Sequence, residues 1–162
     1  MTLPIPGHRL RIPAEWIDYN GHLNVGYYAV AFDKATDALL DHLDLGLAYR
    51  QRSNHSIFIL ESHVTYLHEV AENEMVRFAT RLLDADGKRL HLFHAMHHEQ
   101  DGWLAATAEL LAVHVSLNER RSAPFPAPHL DVIGELAAAD TARPWPEQCG
   151  RVIGIRRPAG IA

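Results

Sequence analysis

The sequence predicts an α+β fold in which an antiparallel five-stranded sheet wraps around one long central helix, with a C-terminal accessory helix and tail added to it. Three observations predict this. One long amphipathic pattern lies near the N-terminus, four β-rich segments follow it in succession, and prolines set apart the final stretch of the chain. At 162 residues the chain is expected to be a single domain, 1–162, with its core at about 8–120 and a C-terminal extension at 121–162.

Residues 9–12 read as a first short strand. The helix follows from Asn24, a residue type suited to the N-cap. Val25, Tyr28, Ala29, Phe32, Thr36, Leu39 and Leu43 then recur at three- and four-residue steps, with Asp33, Lys34, Asp37 and Asp41 on the opposite face. Extended segments are expected at 56–70, 75–84, 89–99 and 103–118. In the last, Trp103, Ala105, Thr107, Glu109, Leu111, Val113 and Val115 share one face by alternation. Asp86-Gly87 and Asp101-Gly102 fall between segments as hairpin turns of the favoured type. Pro124, Pro126 and Pro128 lead into a short helical pattern at 130–139, which Pro144 and Pro146 end. This extension should pack over the sheet or over a partner.

Composition excludes several classes of function. An apolar fraction of 48% with 22% charged residues describes a globular protein, and no apolar run is long enough to span a bilayer. The N-terminus lacks the apolar core of a secretory signal, so a cytoplasmic location is the expectation. A formal charge of −5 argues against a nucleic-acid partner. Local basic groups remain, at Arg50 and Arg52, at Arg120 and Arg121, and at Arg151, Arg156 and Arg157, where anionic phosphates could be met. The lone Cys149 has no neighbours that would mark a nucleophile and is read as structural.

The chemistry concentrates in residues 16–24, W-I-D-Y-N-G-H-L-N, which set a carboxylate, a glycine turn, an imidazole and an amide immediately before the helix. Asp18 could attack an acyl carbonyl or activate water. The first N–H groups of the helix, at Val25, Gly26 and Tyr27, have no earlier turn to accept them and could hold an oxyanion. The plain alternative is that Asp18, Tyr19, Asn20 and Gly21 form only a polar turn, since these are ordinary turn residues.

D-x-x-G-H-x-N followed by an aromatic-rich helix resembles the start of hotdog-fold acyl-CoA thioesterases of the 4-hydroxybenzoyl-CoA thioesterase type. The strand E-S-H-V-T-Y-L-H-E at 61–69 resembles the one after their central helix, and the likeness of elements covers roughly 9–118. Within that family, W-I-D-Y-N-G-H-L-N and the tail G-R-V-I-G-I-R-R at 150–157 resemble the thioesterases of bacterial carnitine breakdown that act on betainyl-CoA. The resemblance implies hydrolysis of an acyl-CoA thioester to free acid and CoA. Asp18 would be nucleophile or general base, and the Val25 backbone N–H would be the oxyanion donor. It implies that His22 and Asn24 shape the loop and contact substrate, with no metal or organic cofactor. It also implies a homo-oligomer, dimer or tetramer, whose protomers join sheets with acyl pockets at their interface. Pairing of this kind would also bury an exposed sheet edge. A trimethylammonium group on the substrate would suit Glu61 with the aromatic faces of Trp16, Tyr19 or Tyr28.

Glu61 and His63 share one face of an otherwise apolar strand, and a charge buried there would need a partner. The reading favoured for them is a pair supporting the Asp18 loop, the other being a place in the acyl pocket of a neighbouring protomer. His91, His94, His97 and His98 invite a metal site, but alternation sends the first and third to one face and the others to the opposite face. They are read as half-exposed strand residues, with no metal. No G-x-S-x-G elbow or Cys–His pair offers another nucleophile. Two rivals stand beside hydrolysis. One is a non-catalytic acyl-CoA binding or regulatory module. The other is a hydratase of the same fold, although the G-D-x-N-P-x-H arrangement expected of it is absent.

Overall fold

The computed structural model describes residues 5–157. In chain order it contains β1 (His8–Arg11), a one-turn 3₁₀ helix (Ala14–Trp16), α1 (Val25–His42), α2 (Leu47–Ser53), β2 (His55–Tyr66), β3 (Met75–Ala85), β4 (Arg89–His98), β5 (Leu104–Ser116), β6 (Arg121–Ser122) and α3 (Ala127–Thr141). The strands form one antiparallel sheet in the order β1-β3-β4-β5-β2, with β6 pairing the end of β5. The expected helix, the four long strands and the C-terminal helix are all present. The two-residue β6, the short α2 and the 3₁₀ turn were not anticipated, because each is too short to show a period.

α1 buries Tyr28, Ala31, Phe32, Ala35, Thr36, Leu39 and Leu40 against the sheet. Phe32 meets Phe78 of β3 edge-on, with ring centroids 5.7 Å apart. Val25 and Ala29, assigned to the apolar face from the sequence, are exposed. The buried stripe is centred on the 28–32–35–39 line, and Val25 stands at the first turn, beyond the sheet's cover.

Two turns form for different reasons. Gly102 has φ +76°, a conformation only glycine adopts without cost, but Asp101 does not share that region and the loop runs from His98 to Trp103, so this is not the two-residue primed turn expected at Asp101-Gly102. Gly87 and Lys88 are not in that region, so the turn after β3 is not of the primed type expected. There the Asp86 carboxylate accepts the N–H groups of Lys88 and Arg89 at 2.9 and 2.7 Å. The Arg89 guanidinium and these amides hold the Asp86 carboxyl down at about 2.

β1 pairs only Met75 to Phe78 of β3. The rest of β3 is left without a strand on that side, and α3 packs against β3 instead, placing Ile133 and Leu136 in the same apolar cluster as α1. Arg81 of β3 fastens the end of α3. Its Nε donates to both oxygens of Asp140 at 2.9 and 3.0 Å, its Nη2 to Oδ2 at 2.7 Å, and its Nη1 to the Pro144 carbonyl at 2.9 Å. Beyond α3 the chain crosses the outer face of the sheet, where Trp145 meets His91 and Gly150 N–H donates to Glu109 at 2.7 Å. Burial pushes the Cys149 thiol in this crossing up to about 11, in keeping with a structural thiol.

The strand histidines need a correction, since His94 is fully buried and His98 nearly so, not half-exposed. His94 lies under α1 with Thr36 Oγ1 3.0 Å from its Nε2 and Thr80 Oγ1 2.8 Å from its Nδ1. The Thr36 hydroxyl donates to the Phe32 carbonyl, so an Nε2–H tautomer lets Thr36 accept and leaves Nδ1 to accept from Thr80. Hydroxyls on both sides make a buried neutral imidazole tolerable where alternation alone suggested a surface. Among the described residues, no group of three or more His, Cys, Asp or Glu side chains could hold a metal ion.

Burial lowers the His94 pKa from 6.5 to about 4. Between those values the unfolded chain binds a proton that the folded chain refuses, so stability is present above pH 6.5 and is lost as the pH falls toward 4. The loss is on the order of 3 kcal/mol. Urea unfolding at pH 7.5 and pH 4.5 should therefore show a larger acid penalty for the wild type than for His94→Gln. Equal penalties would mean that His94 does not carry it.

Candidate active site

The loop before α1 is a small closed turn. Ile17 and Leu23 form an antiparallel bridge, Asp18 N–H donates to the His22 carbonyl at 3.1 Å, and Gly21 N–H returns to the Asp18 carbonyl at 3.0 Å. Gly21 takes φ +84°, which explains a glycine there. Leu23, 1% exposed, pins the loop to the core, and its N–H donates to the Val70 carbonyl at 2.7 Å.

The turn orients the Asp18 carboxylate. Oδ1 accepts Asn20 N–H at 2.8 Å, while Oδ2 faces the Asn24 side-chain amide at 3.5 Å. Asn24 also caps α1, its Oδ1 accepting Gly26 N–H at 2.9 Å. Tyr27 N–H donates to the Asn24 carbonyl at 2.9 Å. Of the three amides that the sequence suggested as free, two are thus occupied. Val25 N–H alone has no acceptor among the described residues, at the positive end of an 18-residue helix.

A cavity of about 510 Å³ opens here, bringing Asp18, Tyr19, His22, Asn24, Val25 and Tyr28 together with Tyr66, Leu67, His68 and Glu69. The last four belong to the expected strand 56–70, which ends earlier, at Tyr66. Leu67 N–H and His68 N–H both turn to the Ala105 carbonyl, bending 67–70 toward the Asp18 loop. The break in alternation at His68-Glu69 was the available signal. Tyr28 meets Tyr66 edge-on at 5.0 Å. Burial, with Tyr66 adding to it, pushes the Tyr28 hydroxyl up to about 12, so it stays protonated and donates to the His68 carbonyl at 3.4 Å. His22 Nε2 lies 3.7 Å from Glu69, while its Nδ1 is 3.3 Å from the Leu23 carbonyl.

Three expected site residues stand elsewhere. Trp16 stacks on Tyr27 at 5.1 Å, outside the cavity. Glu61 and His63 line a different cavity, of about 500 Å³, with His91 and Glu109 on the outer face of the sheet. They do not support the Asp18 loop of their own chain, and Glu61 is exposed rather than buried. Leu60 is an extra residue between Ile59 and Glu61 in the pairing with β5, and from there on Glu61 and His63 face outward beside Leu111 and Glu109. The carboxylate, the free helix amide and the apolar opening beside Tyr66 and Leu67 together suit attack on an acyl carbonyl whose oxygen is held by the helix terminus.

Comparison with known proteins agrees in class. Residues 12–135 match the family model described as the thioesterase-like superfamily. The chain belongs to this family and is a hotdog-fold enzyme of the acyl-CoA thioesterase class. It is 47% identical over 141 residues to the betainyl-CoA thioesterase of Pseudomonas aeruginosa, covering 87% of this chain and 89% of that one. It is 36% identical to an L-carnitine dehydrogenase/betainyl-CoA thioesterase of Agrobacterium fabrum, over 94% of this chain but 31% of the longer protein. A hypothetical protein of Staphylococcus aureus, solved in complex with CoA, shares 30% identity and a TM-score of 0.87, with 96% of this chain and 98% of that one covered.

Proposed function

We propose that this chain hydrolyses betainyl-CoA to glycine betaine and CoA, with Asp18 as the catalytic carboxylate and Val25 N–H as the oxyanion donor. The observation that carries the chemistry is the Asp18 loop closed onto the start of α1, with Val25 N–H left as the free donor there. The acyl group is argued from the likeness to the betainyl-CoA thioesterase of Pseudomonas aeruginosa, which covers most of both chains. Recognition of CoA is supported by the likeness to the CoA-bound Staphylococcus aureus protein. Thiol release from a panel of short, aromatic and quaternary-ammonium acyl-CoAs tests the substrate, with betainyl-CoA expected to give the highest kcat/KM by at least tenfold. Preference for an uncharged acyl group would overturn the betainyl assignment. The cytoplasmic location expected from the sequence belongs to the same proposal and is checked by cell fractionation.

The working unit in this reading is a homodimer joined along β2. That strand is 12 residues long, ends the sheet, and exposes Phe58, Ile59, Leu60 and Tyr66, with Leu67 exposed just beyond it. Antiparallel pairing of two copies about Ser62 sets apolar ends against each other and Glu61 opposite the partner's His63, a favourable cross-strand pair. Sedimentation velocity should show at least a dimer, weakened by Ser62→Pro, whereas a wild-type monomer would overturn this arrangement.

A further inference from the structure

The Asp18 cleft is set apart by its charge. Asp18 and Glu69 line it and no Lys or Arg does, whereas the cavity on the outer face of the sheet carries Arg89 and Arg151. Among the described residues neither carboxylate has a Lys or Arg partner. Asp18 accepts only from Asn20 and Asn24, and Glu69 meets only the His22 imidazole, at 3.7 Å. The open aromatic surface in the cleft belongs to Tyr66. Tyr28 is buried with its hydroxyl engaged by the His68 carbonyl, and Tyr19 stands almost wholly in solvent, whereas Tyr66 is 49% exposed and braced by Tyr28. Burial does most to raise the Tyr28 hydroxyl, with Tyr66 and then Glu69 adding to it, so the Glu69 charge lies within electrostatic reach of the tyrosine pair. Glu61 and Trp16, expected from the sequence to meet a cationic acyl group, are both outside this cleft.

A quaternary ammonium has no N–H to donate, so it is recognised by negative charge and by aromatic faces. In a betainyl thioester a single methylene separates this cation from the carbonyl carbon. The groups that recognise it must therefore stand in the cleft that holds the reacting carbonyl. Tyr66 and Glu69 meet that condition, because they line the same cavity as Asp18 and Val25. We propose that the Tyr66 ring and the Glu69 carboxylate are the specificity-determining pair of this site, selecting an acyl group whose quaternary ammonium lies beside the thioester carbonyl. The inference rests on the thioesterase reading above and assigns its acyl preference to two residues.

The test compares betainyl-CoA with 3,3-dimethylbutanoyl-CoA, which has the same shape with carbon in place of the charged nitrogen. The ammonium also withdraws electrons from the thioester carbonyl in any enzyme, so the readout is the change in the ratio of the two kcat/KM values between wild type and variant. Tyr66→Leu and Glu69→Gln should each lower that ratio, by about tenfold for the ring and about fivefold for the exposed carboxylate. Tyr66→Phe keeps the aromatic face and should keep the wild-type ratio. Glu72→Gln removes an exposed carboxylate near the cleft but outside its lining and should also keep it. Should Tyr66→Leu fail to fold, Glu69→Gln decides alone. An unchanged ratio in either folded variant, with the wild-type preference for betainyl-CoA present, would overturn this inference and leave the reaction standing. An equal fall in Glu72→Gln would overturn it as well, since the effect would then be one of overall charge. Absence of wild-type hydrolysis of both substrates would remove the thioesterase reading beneath it.

Discussion

Asp18→Asn is expected to lower kcat for thioester hydrolysis by about 10²- to 10⁴-fold while leaving the fold intact. The substitution keeps an oxygen that can accept Asn20 N–H, so the turn closed by Gly21 and Leu23 should hold its shape. What is removed is the charge and basicity that either attack on the carbonyl or activation of water requires. The contact from Asn24 is long, at 3.5 Å, and Asn24 stays anchored by its cap on Gly26, so the helix terminus should not move. The expected result is thus a stable, acyl-CoA-binding and inactive protein, read by thiol release beside thermal unfolding. Retained turnover would remove Asp18 from the mechanism. Loss of activity with a large fall in Tm would mark it as a loop-folding residue only.

The largest effect on stability is expected at Arg81. Its side chain is 11% exposed and that of Asp140 is 8% exposed, so Arg81→Ala leaves a buried carboxylate without its main partner. Breaking such a pair from one side costs about 3–5 kcal/mol, most of it the cost of the abandoned charge. For a chain of this size that corresponds to a fall in Tm of about 10–15 °C. The double variant Arg81→Met/Asp140→Leu should recover most of the loss, because it removes both charges and keeps the volume. Arg81 lies in the half of β3 away from the 70–74 loop that anchors Leu23, so kcat at low temperature should stay near wild type. Failure of the double variant to recover stability would show that the loss came from the packing of α3 and not from the unpaired carboxylate.

Most of the framework is legible in the local pattern of residues. The three- and four-residue steps from Tyr28 to Leu39 could be satisfied only by a helix with one face covered, and the alternation through 103–115 only by a strand. Asn24 marked the helix start by its residue type, and Asp18, Gly21, His22 and Asn24 were legible as one site because their neighbours in sequence are also their neighbours in space. Tertiary structure decided whatever depended on which surfaces meet. The burial of His94 needed Thr36 and Thr80, 58 and 14 residues away in sequence, to supply partners. The bend that sends Leu67, His68 and Glu69 to Asp18 depends on the Ala105 carbonyl of another strand. The outward turn of Glu61 and His63 comes from the strand register beyond the extra residue Leu60. Periodicity reports a residue's face but not what covers it, and cover is supplied by chain that is distant in sequence.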